Sequence, residues 1–524
     1  MWEQGDKYMG EKTLLIYQQL LRQEGLFVIG KTEEASVIKI NHLTCNSKEV
    51  SKGTLFLCKG AAFKEEYLRE AISRGAVAYI SEEEYGAGQN MPHIIVSSMR
   101  KAMPLLARAF TGNPDEALKL VGITGTKGKT TTTYYIKAIL DEYLHRQKEQ
   151  LAGILSSIHV YDGQECKEST LTTPEPVELF QYLKNAKEAG LTHLTMEISS
   201  QGLKYYRVRK LQFEVGVFLN IAEDHISPIE HEDFEDYFSA KLSLFKQTQT
   251  ACINIDADYA QRILRAAKVA KRIITFGTSG NPDIKAYNIR THRGRPCFSV
   301  YGEGLEGDFI LAMRGLFNVE NALAAIAATH AMGIPKECMM MGLAKAKVPG
   351  RMEQYGSEDG LVTAIVDYAH NRLSFEKVFE SVLTEHQGER IITIFGCPGD
   401  KAFNRRRDLG LLAGLYSDKL YLVPDDPGTE APEEIAREIG RYAEVVGCPY
   451  EYRNKRGEAI YEAIAAASAA ASAGRKTLIL VLGKGNETRQ KCGQVVYECL
   501  ADGEYVSKGL KEYEKIVYQE RKVM

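Results

Sequence analysis

The sequence predicts an α/β fold of mostly parallel sheets, arranged in three regions. Three observations carry this. Short apolar, β-branched runs alternate with helical patterns along the chain, and right-handed crossovers wind such alternation into parallel sheets. A glycine-rich turn, "GITGTKGKTTTT", joins an apolar run directly to a helical one. Neither a fixed-period repeat nor an apolar run near the roughly 18 residues of a membrane span interrupts the pattern.

The first region is expected over 1–112. Its runs "VIKI", "TLFLC", "AVAYI" and "HIIV" read as strands, and it closes at the Gly-Asn-Pro-Asp punctuation "TGNPDEAL". The second, 113–347, opens with "LKLVGITG" and alternates strands with helices. The third, 348–524, begins near "VPGRMEQYG". Its strands are "TAIVDYAH", "RIITIFG", "KLYLVP" and "TLILVLG", with helices between them. The run "AIAAASAAASAG" reads as the crossover helix before the last of these, because alanine is the best helix former.

Composition bounds the function. At about 100–200 residues per domain, a chain of 524 residues holds three or four domains. With 44% hydrophobic and 26% charged residues it is an ordinary globular protein, not a disordered one. A net charge of −3 provides no global electropositive field, which excludes a general nucleic-acid binder. The N-terminus "MWEQGDKYMGEK" has mixed charge and no following apolar block, so no signal peptide is expected. The ten cysteines form no CxxC, which disfavours structural zinc and a disulfide framework and points to the cytoplasm.

The glycine-rich turn carries the sharpest chemistry. Gly125 and Gly128 let the backbone turn its N–H groups toward an anion, and the following helix adds its positive dipole end. Lys129 would place an ammonium on the β/γ-phosphates, and Thr130 a hydroxyl on Mg²⁺. The match to GxxxxGK[ST] is imperfect, since position 123 is Ile and Gly122 lies one residue early. The loop implies a nucleotide phosphate site without separating kinase, motor, transporter and ligase.

Two further strands end in polar residues. "THLTMEISS" ends at Glu197, Ser199 and Ser200, and "FEVGVFLNIAEDH" at Asn220, Asp224 and His225. A parallel sheet would set both beside the phosphate loop, where a carboxylate suits Mg²⁺. His225 could ligate metal or orient a ligand. Further on, the helix "DFEDYFSAKLSLFKQ" carries an apolar stripe of Phe234, Tyr237, Phe238, Leu242 and Phe245. Lys241 falls inside that stripe. It either snorkels outward, the reading favoured by the residues alone, or sits enclosed, where a neutral amine can take up CO₂ as a carbamate.

"GTKGKTTTT", "LTTPEP", "MEISSQGL", "NIAEDHISPIEH", "FEDYFSAKLSLF", "GLFNVENALAA", "VPGRME", "DYAHN", "FGCPGD" and "GKGNE" occur in this order. Together they resemble the Mur ligases, and most closely the L-lysine-adding type of UDP-N-acetylmuramoyl-tripeptide synthetase. The resemblance covers essentially the whole chain. It implies three domains: an N-terminal UDP-substrate domain, a central P-loop ATPase domain and a C-terminal Rossmann-like domain. It also implies ATP-dependent amide formation through an acyl phosphate on the γ-carboxyl of the D-Glu in UDP-MurNAc-L-Ala-D-Glu. A diamino acid supplies the attacking amine.

By the same resemblance, Gly125, Thr126, Lys127, Gly128, Lys129, Thr130 and Thr131 hold ATP. Asn318 and Asn321 lie on the adenine side, and Arg351 and Asp367 also contact ATP. Thr130, Glu197, His225 and Lys241, as a carbamate, match a two-Mg²⁺ site, with Lys129, Lys241 and His225 catalytic. Ser47, Thr172, Thr173, Ser199 and Arg207 fall in motifs similar to the UDP-sugar-peptide site. Asp425, Asp426, Gly483 and Glu487 fall where the incoming amino acid binds. A monomer is expected.

The segment "LVPDDPGTEAPEE" bears on which amine is used. Relatives adding meso-diaminopimelate show Asn-Pro-Arg there, whereas this chain has Asp425, Asp426, Pro427 and Gly428. Two carboxylates would repel a distal carboxylate and favour a distal ammonium, pointing to L-lysine with L-ornithine as competitor. A simple turn is the bland reading of the same residues. Asn46, Asn371 and Asn486 depart from the family's usual residues. The competing functions are a ligase using another amine or acceptor, such as a folylpolyglutamate synthase, and a P-loop binding protein without turnover.

Overall fold

The structure is a computed structural model describing residues 12–32, 35–60, 63–223, 230–471, 473–493 and 495–523. The chain forms two compact units. One runs up to Lys285 and adds Tyr301–Leu305 and Asn321–Gly342, and the other holds Ala286–Val300, Glu306–Glu320 and the chain from Leu343 onward.

The first unit opens with a five-stranded sheet in the order Phe27–Lys31, His93–Val96, Ala76–Ser81, Thr54–Leu57, His42–Thr44. All pairings are parallel except that of the Phe27–Lys31 edge. The expected strand "VIKI" is not one. Its pairing is limited to an isolated bridge between Lys39 and Thr13 with the flanking bonds Leu14 N–H to Ile38 O and Ile40 N–H to Lys12 O, while Val37 is exposed. The physical reason is topological: this stretch carries the chain from one edge strand to the opposite edge, and along the way it meets the residues before the first helix for a single bridge, too short for a strand.

A larger sheet is centred on Lys119–Thr124, flanked by His193–Glu197 and Phe213–Phe218 and extended by Thr248–Asn254 and Arg272–Gly277, all parallel. On the far side of His193–Glu197, Gly153–Leu155 pairs parallel and leads into an antiparallel meander. Register fixes the edge that matters. Glu197 lies opposite Ile123 and Phe218 opposite Thr124, so three strand ends emerge together.

One apolar core runs through both sheets. It joins Leu14, Leu57 and Leu106 to Leu120, Leu194 and Phe213. The helices Met99–Phe110 and Pro176–Glu188 pack on each other.

The second unit has the sheet order Glu353–Gly356, Val362–Asp367, Thr477–Leu482, Arg390–Phe395, Lys419–Leu422, Tyr450–Tyr452, parallel apart from the first strand. Alternate residues of each strand serve separate cores. Ile365, Phe395, Leu420 and Leu480 pack against Arg372–Glu385, Asn404–Tyr416 and Pro432–Val445. Val366, Ile394, Tyr421 and Val481 pack against Arg456–Ala471 and Asp502–Val523. The chain winds outward through four parallel strands, from Val362–Asp367 to Tyr450–Tyr452, and then returns to insert Thr477–Leu482 between Val362–Asp367 and Arg390–Phe395. Right-handed crossovers therefore put the returning helix, the alanine-rich Arg456–Ala471, on the opposite face. No helix among the described residues is long and apolar enough to cross a membrane.

Candidate functional site

The strand Lys119–Thr124 ends in the glycine-rich turn. Gly125 and Gly128 hold φ values of 151° and 83°, which only glycine adopts without strain. Space also demands glycine. A Cβ on Gly125 would lie 2.9 Å from Leu219 Cβ, and one on Gly128 would lie 2.2 Å from Asn321 Oδ1. Gly128 caps the helix Lys129–Gln147 and brings no side-chain cap to its N-terminus. Asn220 steadies the turn by accepting the Lys127 N–H at 2.9 Å and donating to the Lys127 carbonyl at 3.2 Å. Thr126 Oγ1 lies 3.0 Å from the Tyr237 hydroxyl and accepts the Ala222 N–H at 3.0 Å.

Two lysines meet on this turn. Lys129 Nζ donates to the carbonyls of Gly125 at 2.9 Å and Thr126 at 3.1 Å. Lys241 Nζ donates to the same Gly125 carbonyl at 2.8 Å. Lys241 is only 1% exposed, and its Nζ lies 4.8 Å from the centre of the Tyr237 ring. The snorkelling reading therefore fails. The helix is also shorter than its stripe suggested: Phe234–Leu242 is α-helical and Ser243–Gln247 tightens into a 3₁₀ turn. The stripe's Leu242 is only half-buried, while Tyr237, Phe238 and Phe245 are in the core.

Glu197, 1% exposed, accepts the Ser157 N–H at 2.7 Å, and Ser157 Oγ lies 3.0 Å from Thr130 Oγ1. Ser157 thus ties two expected metal-side groups together, and sequence reasoning missed it. A serine two residues after a short strand carries no signal of its own. Asp224 and His225 lie outside the described residues. Among the described residues no group of three or more His, Cys, Asp or Glu could hold a metal. The Glu197 carboxylate and Thr130 hydroxyl are oxygen donors of the kind Mg²⁺ takes.

A cavity of about 130 Å³ has Lys129, Lys241, Thr172, Ser199, Arg207 and Glu230 among its lining residues. Thr173 anchors its wall by donating to the Glu197 carbonyl at 3.0 Å and accepting the Ser199 N–H at 2.9 Å. Arg207 donates to the Thr173 carbonyl at 3.0 Å and pairs with Glu175 at 2.7 Å, and Glu175 also pairs with Lys59. Ser47 is not among the cavity's lining residues. It is buried and donates to Glu70 at 2.6 Å. Neighbouring Asn46 accepts the Lys48 N–H at 3.1 Å, capping a short 3₁₀ turn.

A second cluster stands at the strand ends of the other unit, around the inserted strand Thr477–Leu482. Doubly wound sheets collect ligands at such switch points. Asp367 accepts the N–H groups of Met352 at 2.8 Å and Ala369 at 2.7 Å. Burial pushes its carboxyl up, against the pull of Arg351. The Arg351 guanidinium sits 4.3 Å from the Tyr368 ring centre, and the Tyr368 hydroxyl donates to Glu487 at 2.8 Å. Gly483, at φ 112°, donates its N–H to the Asp367 carbonyl. Burial raises the Asp425 carboxyl, and the Lys484 ammonium opposes that rise.

Lys484 is the residue of this cluster that sequence reasoning passed over. It is 1% exposed and lies 3.3 Å from Glu487 and 3.7 Å from Asp426. Its only sign in the sequence is a lysine between two glycines after a strand. Asn371 caps the helix Arg372–Glu385 in a reciprocal capping box with Ser374. In the basic run after "FGCPGD", Arg406 is buried and committed to Glu430 at 2.6 Å and Glu438 at 2.7 Å. In the helix Asn318–Ala331, Asn318 donates to the Arg314 carbonyl at 2.6 Å.

The fold and the site define the class: an α/β protein built on a phosphate loop, with a second, doubly wound unit. Known proteins narrow it. The family model of the Mur ligase middle domain matches residues 123–329, and that of the Mur ligase glutamate ligase domain matches residues 350–485. The chain is 38% identical over 462 residues to the UDP-N-acetylmuramoyl-L-alanyl-D-glutamate–L-lysine ligase of Enterococcus faecalis (strain ATCC 700802 / V583), covering 87% of this chain and 89% of the relative. It is 34% identical over 494 residues to the UDP-N-acetylmuramyl-tripeptide synthetase of Lactobacillus acidophilus, covering 90% and 92%. A solved UDP-N-acetylmuramoyl-L-alanyl-D-glutamate–2,6-diaminopimelate ligase shares the fold with a TM-score of 0.64 at 23% identity, covering 96% of this chain and 99% of that one. The chain belongs to the Mur ligase family.

Proposed function

We propose that this chain is a UDP-N-acetylmuramoyl-tripeptide synthetase that adds L-lysine to the D-Glu γ-carboxyl of UDP-MurNAc-L-Ala-D-Glu in peptidoglycan precursor synthesis. The observation that carries the reading is one cavity shared by Lys129, Lys241, Thr172, Ser199 and Arg207. It sets the phosphate loop's lysine against residues assigned to the acceptor. The relatives named above support the choice of substrate.

In the first step a γ-carboxylate oxygen attacks the γ-phosphorus of ATP, and the bond to the β-phosphate oxygen breaks, leaving acyl phosphate and ADP. Two anions must approach. The turn's N–H groups over Gly125, Thr126, Lys127, Gly128, Lys129, Thr130 and Thr131 and the Lys129 ammonium offset that repulsion. Asn318, Asn321, Arg351 and Asp367 are assigned to ATP. Thr130, Glu197, His225 and Lys241 as its carbamate would hold two Mg²⁺ ions, which supply further charge neutralisation at the phosphates when bound. Ser47, Thr173 and Arg207 orient the acceptor together with Thr172 and Ser199. In the second step a neutral amine attacks the acyl carbon, phosphate leaves, and the amine loses a proton. Asp425, Asp426, Gly483 and Glu487 would bind the amino acid.

We assign substrate binding to 1–112, ATP chemistry to 113–347 and the amino acid to 348–524, in a cytoplasmic monomer. An amino-acid panel tests the reading, with ADP release measured against UDP-MurNAc-L-Ala-D-Glu. Release that requires both the acceptor and lysine is expected. Release supported by diaminopimelate and not by lysine would overturn the specificity.

A further inference from the structure

The acidic residues of the second unit do not stand alone. Lys484 is buried among them, 3.3 Å from Glu487 and 3.7 Å from Asp426, and the Asp425 carboxylate also favours its charged form. Its Nζ donates to the Arg489 carbonyl at 2.7 Å, at the root of the hairpin Arg489–Cys492 and Val495–Glu498. That hairpin is pinned back onto the same corner. The Lys491 N–H donates to Asp426 at 2.8 Å, and the Gly493 N–H donates to the Gly428 carbonyl at 2.8 Å. Lys484 thus connects three elements: the strand end, the "DDPG" corner and the hairpin.

A buried ammonium costs several kcal/mol unless paired, so its presence here has to be matched by the carboxylates around it. The reverse also holds. Asp425 is half-buried and burial already raises its carboxyl, so removing the ammonium that opposes that rise would raise it further. Behind them Arg456 pairs with Asp502, at 2.6 Å and 2.8 Å, and donates to the Leu482 carbonyl at 2.7 Å. As formal charges the Arg456–Asp502 pair cancels, and Asp425, Asp426 and Glu487 against the one Lys484 ammonium leave the corner with surplus negative charge.

We propose that Lys484 is a positioning residue of the amine pocket, an internal countercharge that holds Asp425, Asp426 and Glu487 together while leaving net negative charge for a side-chain cation. This rests on the ligase reading and deepens it: the pocket selects amino acids of net positive charge. The charged and titratable groups facing Lys484 are Asp425, Asp426, Glu487, Arg456 and Cys499, with Asp502 behind Arg456 and Tyr368 behind Glu487.

The test uses the full chain with Lys484→Met, Lys484→Arg and Lys484→Met/Asp426→Asn, each checked for a wild-type circular dichroism melt. KM for lysine is measured from pH 6 to 9 alongside KM for ATP. Lys484→Met is expected to raise KM for lysine at least tenfold at pH 7, leave KM for ATP unchanged, and move the acid limb to higher pH. Lys484→Arg is expected to keep the wild-type limb, and the double variant to recover part of the loss. A wild-type lysine KM and limb in Lys484→Met would overturn the proposal, as would an equal limb shift in Lys484→Arg. If Lys484→Met does not fold, Lys484→Gln takes its place in the same comparison, and a wild-type lysine KM and limb there overturn the proposal. Calorimetric titration of lysine, arginine and diaminopimelate into the wild type separates the two claims. Absent turnover with cation-selective binding sinks the ligase reading alone, and binding without preference for the cationic amino acids sinks the charge role of Lys484.

Discussion

Gly128→Ala separates what the phosphate loop needs for folding from what it needs for nucleotide. At φ 83° an alanine is strained, at about 1–2 kcal/mol. That strain is present with or without nucleotide, so it lowers stability and leaves affinity untouched. The new methyl acts differently. It would stand 2.2 Å from Asn321 Oδ1, so the Asn321 amide must swing away. If Asn321 gives ATP one hydrogen bond, worth about 0.5–1.5 kcal/mol, ADP affinity falls roughly two- to tenfold. Titration calorimetry with ADP and a denaturant melt read the two effects apart. Asn321→Ala should reproduce the affinity loss without the stability loss. Combining the substitutions should cost no more affinity than either alone, because both remove the same contact. Wild-type ADP affinity in Gly128→Ala, or additive affinity losses in the pair, would refute the reasoning.

Lys241→Ala should lower ADP release at least about a hundredfold, in line with loss of a charge-stabilising group; near-normal turnover would sink the carbamate assignment. In the amino-acid panel, ornithine should trail lysine by about 1–3 kcal/mol in transition-state binding, the worth of one methylene. Arg456→Met leaves the buried Asp502 carboxylate unpaired and should cost about 3–5 kcal/mol in a denaturant melt; a change below 1 kcal/mol would contradict that. His193 is buried, and burial followed by the Lys119 charge pushes its imidazole down to about 4. The unfolded chain therefore binds the extra proton first, and stability should fall as pH drops from about 6.5 toward 4. His193→Gln should flatten that part of the pH–stability curve, and an unchanged slope would count against it.

What the sequence made legible was whatever depends on local backbone chemistry. A Gly-Lys-Thr after an apolar run fixes a turn, a helix start and an ammonium in one stroke, and the structure has all three at Gly128, Lys129 and Thr130. Glu197 was legible because it ends a strand that a parallel sheet sets beside the one leading into that turn, opposite Ile123. Residues placed by tertiary packing were not. Lys241 has the sequence environment of a snorkelling lysine, and its enclosure depends on the Gly125 carbonyl, 116 residues away. Ser157 and Lys484 acquire meaning only from Thr130 and Glu197 in one case and a distant "DDPG" corner in the other. "VIKI" had the right residues for a strand and found a neighbour for only one bridge, at Thr13.

The continuous core of the first unit has a consequence for how this chain can be divided. The proline-containing punctuation near residue 112 looks like a seam in the text of the sequence. Yet Leu14, Leu57 and Leu106 share their apolar contacts with Leu120, Leu194 and Phe213. A protein cut there would carry two raw, water-facing surfaces where one interior had been. Inheritance can join such pieces end to end, but once their interiors have merged, neither piece can be exchanged without reshaping the other.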